Sequence, residues 1–154
     1  MSGLDVSAKG AFLFSKAFLP LLLSSLSSGQ TLNHPPTLIF TGATASLRGG
    51  PQLAPFATGK FALRALSQSI AREFAPKGVH VAHAIIDGVI DIPRTKEWLK
   101  DAGPDSKISA EGIADSYWYL VSLIPSFHFL WYSSAGGRML MDDAAYTTEK
   151  HVLQ

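Results

Sequence analysis

The chain has 154 residues, 47% of them hydrophobic and only 16% charged, which fits one domain with a sizeable core and excludes a disordered tail. Thirteen basic against twelve acidic residues leave a net charge of +1, so there is no electrostatic footprint for nucleic acid or an acidic membrane surface. The absence of cysteine excludes disulfides, thiolate nucleophiles and cysteine-ligated zinc, and His34, His80, His83, His128 and His151 show no metal-binding spacing.

From about Leu4 to Leu26 the apolar residues crowd all round a helical wheel, which predicts a helix packed on several sides. Pro20 should kink it or end its regular part. The stretch superficially resembles a signal peptide, but Lys16 interrupts the apolar run, Pro20 breaks it again, and Asp5 sits where basic residues should dominate. The uninterrupted apolar runs are too short to span a bilayer. The expectation is therefore a buried helix in a soluble, cytoplasmic protein with no membrane segment.

"SSLSSGQTLNHPP" reads as a polar loop, and "TLIF", bounded by Pro36 and Gly42, as a short buried strand. "TGATASLRGGPQLAP" is a second loop. A long helix is expected from near Phe56 to Phe74, stopped by Pro76-Lys77-Gly78. "VHVAHAII" is rich in β-branched residues and predicts another strand. "DGVIDIPRTKEWLKDAGPDSK" reads as a loop carrying a short helix. Ser109 then caps a helix with Gly112 at its third position, and "FHFLWYS" is a third strand candidate.

Parallel strands joined by a helix form the crossover unit of an open α/β sheet, and such sheets bind ligands outside the carboxyl ends of their strands. Those ends are Thr41 to Ser46 and Asp87 to Ile92. "TGATASLRGG" begins like a dinucleotide-cradling turn, Thr-Gly-x-x-x-Gly-x-Gly, but Ser46 and Arg48 stand where that turn needs glycine. "PFATGK" places Phe56 four residues ahead of Lys60, one above the other on a helix face. Read alone, Lys60 is a solvated charge near a helix start, its stem along apolar surface, with a site cation as the alternative.

Taken together, "AKGAFLFSKAFLPLLL" and "LIFTGATASLRGGPQLAPFATGKFALRALSQSIAREFAPKGVHVAHAIIDGVID" resemble the short-chain dehydrogenase/reductase family, from about Val6 to Ile124. The implied fold is α/β: part of a doubly wound, Rossmann-like parallel sheet lacking the N-terminal dinucleotide-binding half. Residues 1–124 correspond to the C-terminal half of such a domain and residues 125–154 to a divergent tail. The missing half would leave the strand at "TLIF" as an exposed edge.

The resemblance also implies a catalytic set, which can be carried over position by position. Lys60 matches the family lysine, which lowers the pKa of the catalytic tyrosine and hydrogen-bonds the nicotinamide ribose. Phe56 takes the place of that tyrosine and has no proton to give. Ala43 stands at the serine that helps hold the substrate oxygen, and Ser7 at the asparagine of the preceding helix. Asp87-Gly88 replaces Pro-Gly, and Ile92 replaces a threonine that contacts the nicotinamide amide. Among the hydroxyls nearby, Thr41, Thr44 and Ser46 are the candidates to substitute for the missing donors.

The implied cofactor is NAD or NADP, held by Lys60, Asp87, Gly88 and Ile92, although the lost turn and catalytic groups weigh against binding by this chain alone. The implied function is an oxidoreductase homologue with little or no independent activity. The alternative is a non-catalytic protein that pairs through helices 4–26 and 56–75, as a homodimer or with a full-length relative. A third reading is an incomplete product that does not fold alone.

Overall fold

The computed structural model describes residues 3–29, 31–103, 106–122, 129–135 and 138–142. A π-helical stretch, Asp5–Lys9, leads directly into α1 (Gly10–Ser27), which continues through Pro20 instead of ending there. The apolar wheel of this helix is not buried all round. Only Ser15 and Leu19 are buried, with Ala11, Leu22 and Leu23 partly covered beside them. Residues 11, 15, 19 and 22 fall on one helical stripe, and that stripe is what reaches the sheet. Phe12, Leu13, Phe14, Phe18 and Leu21 point away and are exposed. Asp5–Ser27, 23 continuous helical residues, is long and apolar enough by length and composition to cross a membrane. Lys16 and Pro20 interrupt the apolar runs but not the helix, so the helix is longer than any single run.

β1 (Thr37–Ala43), α2 (Ala54–Phe74) and β2 (His80–Asp87) make the expected strand–helix–strand unit. Pro55 in the first turn of α2 is preset for a helix start, where its missing N–H costs nothing. The helix stops at Ala75–Lys77, and Gly78 turns the chain with φ of 93°, a left-handed conformation that suits glycine. β1 pairs parallel with β2, from Thr37 opposite His80 to Ala43 opposite Ile86. β2 in turn pairs parallel with β5 (Phe129–Ala135), and β5 antiparallel with β6 (Arg138–Asp142). "FHFLWYS" thus contributes the third parallel strand. Among the described strands the order is β1-β2-β5-β6, which leaves β1 at an edge.

β2 is central, and every residue from His80 to Ile86 is buried. A strand covered on both faces need not alternate, which explains the loose pattern of "VHVAHAII". Alternate residues sort into two layers. Leu38, Phe40 and Val81 pack with Leu19, Leu63, Ile70 and Ala71 beneath α1 and α2. Ile39, Ala82 and Ala84 pack with Tyr117 and Leu120 of α3 (Ala110–Ser122). Helices therefore cover both faces, as a doubly wound sheet requires. Ser109 caps α3 as expected, its Oγ accepting the Gly112 N–H at 3.1 Å.

The segment between β2 and α3 is the expected loop carrying a short helix, which is of 3-10 type, and it adds a strand pair that the sequence did not suggest. It holds a 3-10 turn at Pro93–Thr95 and two short strands, β3 (Ile90–Asp91) and β4 (Ile108–Ser109), paired parallel. Leu99, with φ of 53°, takes a left-handed conformation that no helix can pass through. Thr95 fixes the turn: its Oγ1 accepts the Ile92 N–H and donates to the Ile90 carbonyl. Lys107 ties the two ends together, 3.6 Å from Asp91 and donating to the Lys96 carbonyl at 2.8 Å.

Candidate functional site

The carboxyl ends of β1 and β2 lie side by side, because the parallel register sets Ala43 opposite Ile86. Gly42 is needed at this point for close approach. A Cβ there would stand 2.4 Å from His83 Nε2 and 2.9 Å from Ser46 Oγ. Beyond it the chain enters a 3-10 turn, Thr44–Ser46, in which buried Ser46 accepts the Ala43 N–H at 3.1 Å. Thr44 donates its hydroxyl hydrogen to Asp87 Oδ1, joining the two strand ends. Thr41 Oγ1 lies 2.8 Å from the Tyr117 hydroxyl on the opposite face of the sheet. All three candidate substitute hydroxyls are thus engaged in holding strands, turns and α3 together.

Lys60 is half-buried on α2, and its Nζ donates to the Thr41 carbonyl at 2.8 Å. The ammonium lies 5.7 Å from the centroid of the Phe56 ring, within range of a cation–π attraction. Burial lowers its pKa below the ordinary lysine value. A catalytic lysine of this spacing would support a tyrosine hydroxyl; here it faces an aromatic ring and a main-chain oxygen.

Outside the strand ends is a cleft of about 610 Å³. Ala43, Phe56, Gly88 and Ile92 all contribute to its wall. Four of the seven residues at family site positions are therefore brought together, and Thr44 of the substitute hydroxyls joins them. The other three site positions are not in the wall. Asp87 is turned to Thr44, Lys60 to Thr41, and Ser7 lies in the π-helical stretch. Just ahead of that stretch the chain crosses α2 at Gly3 and Gly59: a Cβ on Gly59 would be 2.4 Å from the Gly3 carbonyl oxygen. Sequence reasoning did not assign Arg48, Leu53, Thr95 or Trp98 to the site, and all four are in the wall. Their only signal was position in the two loops that leave the strand ends, which is where ligand contacts in α/β sheets arise.

The family model described as short chain dehydrogenase matches residues 2–103, a span that includes α1, β1, α2, β2 and the cleft. The chain belongs to the short chain dehydrogenase family. An uncharacterized oxidoreductase of Staphylococcus epidermidis is 32% identical over 119 residues, 77% of this chain and 47% of that protein. The solved structure of a short-chain dehydrogenase from Rhodopseudomonas palustris is 34% identical, with a TM-score of 0.58 over 84% of this chain and 49% of the other. The 3-ketoacyl-(acyl-carrier-protein) reductase of Brucella melitensis, solved with NADH, superposes with a TM-score of 0.70 at 20% identity, covering 88% of this chain and 55% of its own. The chain spans about half the length of these relatives. Its α/β sheet is part of the short-chain dehydrogenase Rossmann fold.

Does this set of residues fit a nicotinamide dinucleotide? Lys60 is the group suited to a ribose, but it is tied to Thr41 O. Ser46 and Arg48 occupy the positions at which a dinucleotide turn has glycine, and Ser46 is buried in the 3-10 turn. The described residues contain no anion cradle for the pyrophosphate at this turn. They fit the nicotinamide end in outline and not the whole cofactor.

Proposed function

We propose that this chain is a short-chain dehydrogenase family protein with little or no independent oxidoreductase activity. One observation carries the reading: where a carbonyl substrate would need a proton donor and a hydrogen-bond donor, the cleft offers the Phe56 ring and the Ala43 methyl. The nearest hydroxyls give no relief: Thr44 spends its hydrogen on Asp87, Thr41 pairs with Tyr117, and Ser46 is fully buried in the 3-10 turn outside the cleft wall. Loss of a positioned general acid lowers a rate by about two to four orders of magnitude. Loss of the neighbouring donor adds to this without strict additivity. NAD or NADP is the cofactor class that family membership supports, and Lys60, Asp87, Gly88 and Ile92 are the positions it would approach.

The test is oxidation of NADPH and NADH by the purified chain with a panel of ketones and aldehydes, beside the double variant Phe56→Tyr with Ala43→Ser. The wild-type chain should show no turnover above background. Turnover that scales with its concentration overturns the reading. Activity gained by the double variant would assign the loss to those two positions.

A second reading, pairing with another chain, is supported by the exposed side of α1. Phe14 and Phe18 stack there, with centroids 4.2 Å apart, beside exposed Phe12, Leu13 and Leu21, and α2 adds exposed Phe61. Exposed apolar side chains in this number are what an interface with another chain would cover. Sedimentation of the wild type as a dimer, and of Phe14→Asp/Phe18→Asp as a monomer, is the expected result. A wild type that stays monomeric and instead partitions onto lipid vesicles would assign the helix to a membrane.

A further inference from the structure

The cleft is of the size that holds small organic ligands, which ranges over roughly 300–1,000 Å³. Leu53, Phe56, Ile90, Ile92 and Trp98 give it apolar walls. Its two threonines have spent their hydrogens internally, Thr44 on Asp87 and Thr95 on the carbonyl of Ile90. One wall residue, Arg48, is charged, and it is exposed at the start of the loop that follows the 3-10 turn. Among the described residues its guanidinium makes no salt bridge. A guanidinium presents a planar fork of donors matched to the two oxygens of a carboxylate.

From this arrangement we propose that the cleft binds an apolar carboxylate, a medium-chain fatty acid in class, with the chain along Phe56, Ile92 and Trp98 and the carboxylate on Arg48. Phe56 then has a positive use. A phenyl ring extends the apolar wall where a phenol would demand a hydrogen-bonding partner for its hydroxyl. A carboxylate also requires no proton transfer or hydride, so binding does not depend on the catalytic groups. The inference does not rest on the chain being inactive, and it is tested without cofactor.

The experiment is titration of the chain with decanoate and, separately, with decanamide, followed by calorimetry and tryptophan fluorescence at neutral pH. Decanoate should bind about tenfold more tightly than the neutral amide, the low end expected for hydrogen bonds to a charged group because Arg48 is exposed. Arg48→Gln should remove that difference while leaving decanamide binding unchanged. Ile92→Asp, on an exposed wall position, should abolish binding of both, with an unaltered circular dichroism melt confirming that the fold survives. Equal affinity of the wild type for the two ligands, no binding of either, or full decanoate binding by Ile92→Asp would each overturn the proposal.

Discussion

His83 makes the stability of this chain depend on pH in a direction that can be worked out from its contacts. The side chain is fully buried in β2, with Nδ1 3.2 Å from Ser67 Oγ. Ser67 gives its own hydrogen to the Arg64 carbonyl at 2.7 Å. His83 must therefore donate from Nδ1, which leaves Nε2 as the bare nitrogen, facing Gly42. Among the described residues Nε2 has no hydrogen-bond partner. A second proton would create a buried cation with an unsatisfied N–H, close to the positive charges of Arg64 and Lys60. Burial first, then Arg64 and Lys60, hold its pKa down to about 4.

In the unfolded chain the same group titrates near 6.5. Between those values the unfolded state binds a proton that the folded state refuses. The stabilising contribution is therefore complete above about pH 6.5 and is lost as pH falls toward 4. The full difference corresponds to roughly 3 kcal/mol, of which about 2 kcal/mol should be gone by pH 5. Urea denaturation followed by circular dichroism at about pH 7.5 and about pH 5 measures this. His83→Gln, which cannot take up the proton, is the control for the carboxylates. The wild type should lose about 2 kcal/mol more than the variant over that interval. Equal losses in the two proteins would refute the assignment of a neutral, Nδ1-protonated His83 in the core.

Gly59→Ala places a methyl group 2.4 Å from the Gly3 carbonyl oxygen, and main-chain atoms cannot rotate aside. We expect a loss of about 1–3 kcal/mol in denaturant stability, as for other overpacked sites, together with fraying of residues 3–9 visible as lost helical signal. A change within about 0.5 kcal/mol would show that this crossing is not a close contact in solution. Leu120→Ala empties a fully buried position on the α3 face of the sheet and should cost about 2–5 kcal/mol. A surface-like effect would mean that α3 does not pack on β1 and β2.

Much of the fold was legible because each parallel-sheet element carries its own signal. The Pro76-Lys77-Gly78 stop bounded α2, and Ser109 marked the start of α3. The strand ends located the cleft, since register alone brings Ala43 beside Ile86. What failed to show was set by tertiary neighbours. A helical wheel records that the residues of α1 are apolar, but which of them meet the sheet depends on how much of its face α2 has already taken. Likewise the β3–β4 pairing, which joins residues 18 apart in sequence around the short helix, depends on contacts that no local pattern encodes. At the site, spacing placed Phe56 and Lys60 on one helix face. It could not reveal that Lys60 would turn to the Thr41 carbonyl, or that Arg48 would enter the cleft wall.

The measurement that bears most directly on the account is a thermal melt of the purified chain, alone and with saturating NADPH or NADH. Two buried clusters on opposite faces of one sheet predict a cooperative transition. Lys60 tied to Thr41, and the lack among the described residues of a phosphate cradle at the turn after β1, predict that neither cofactor moves it. A ligand that binds only the native state raises the melting temperature in proportion to its affinity. An upward shift of several degrees with either cofactor would therefore contradict the account and restore this chain to the working dehydrogenases of its family.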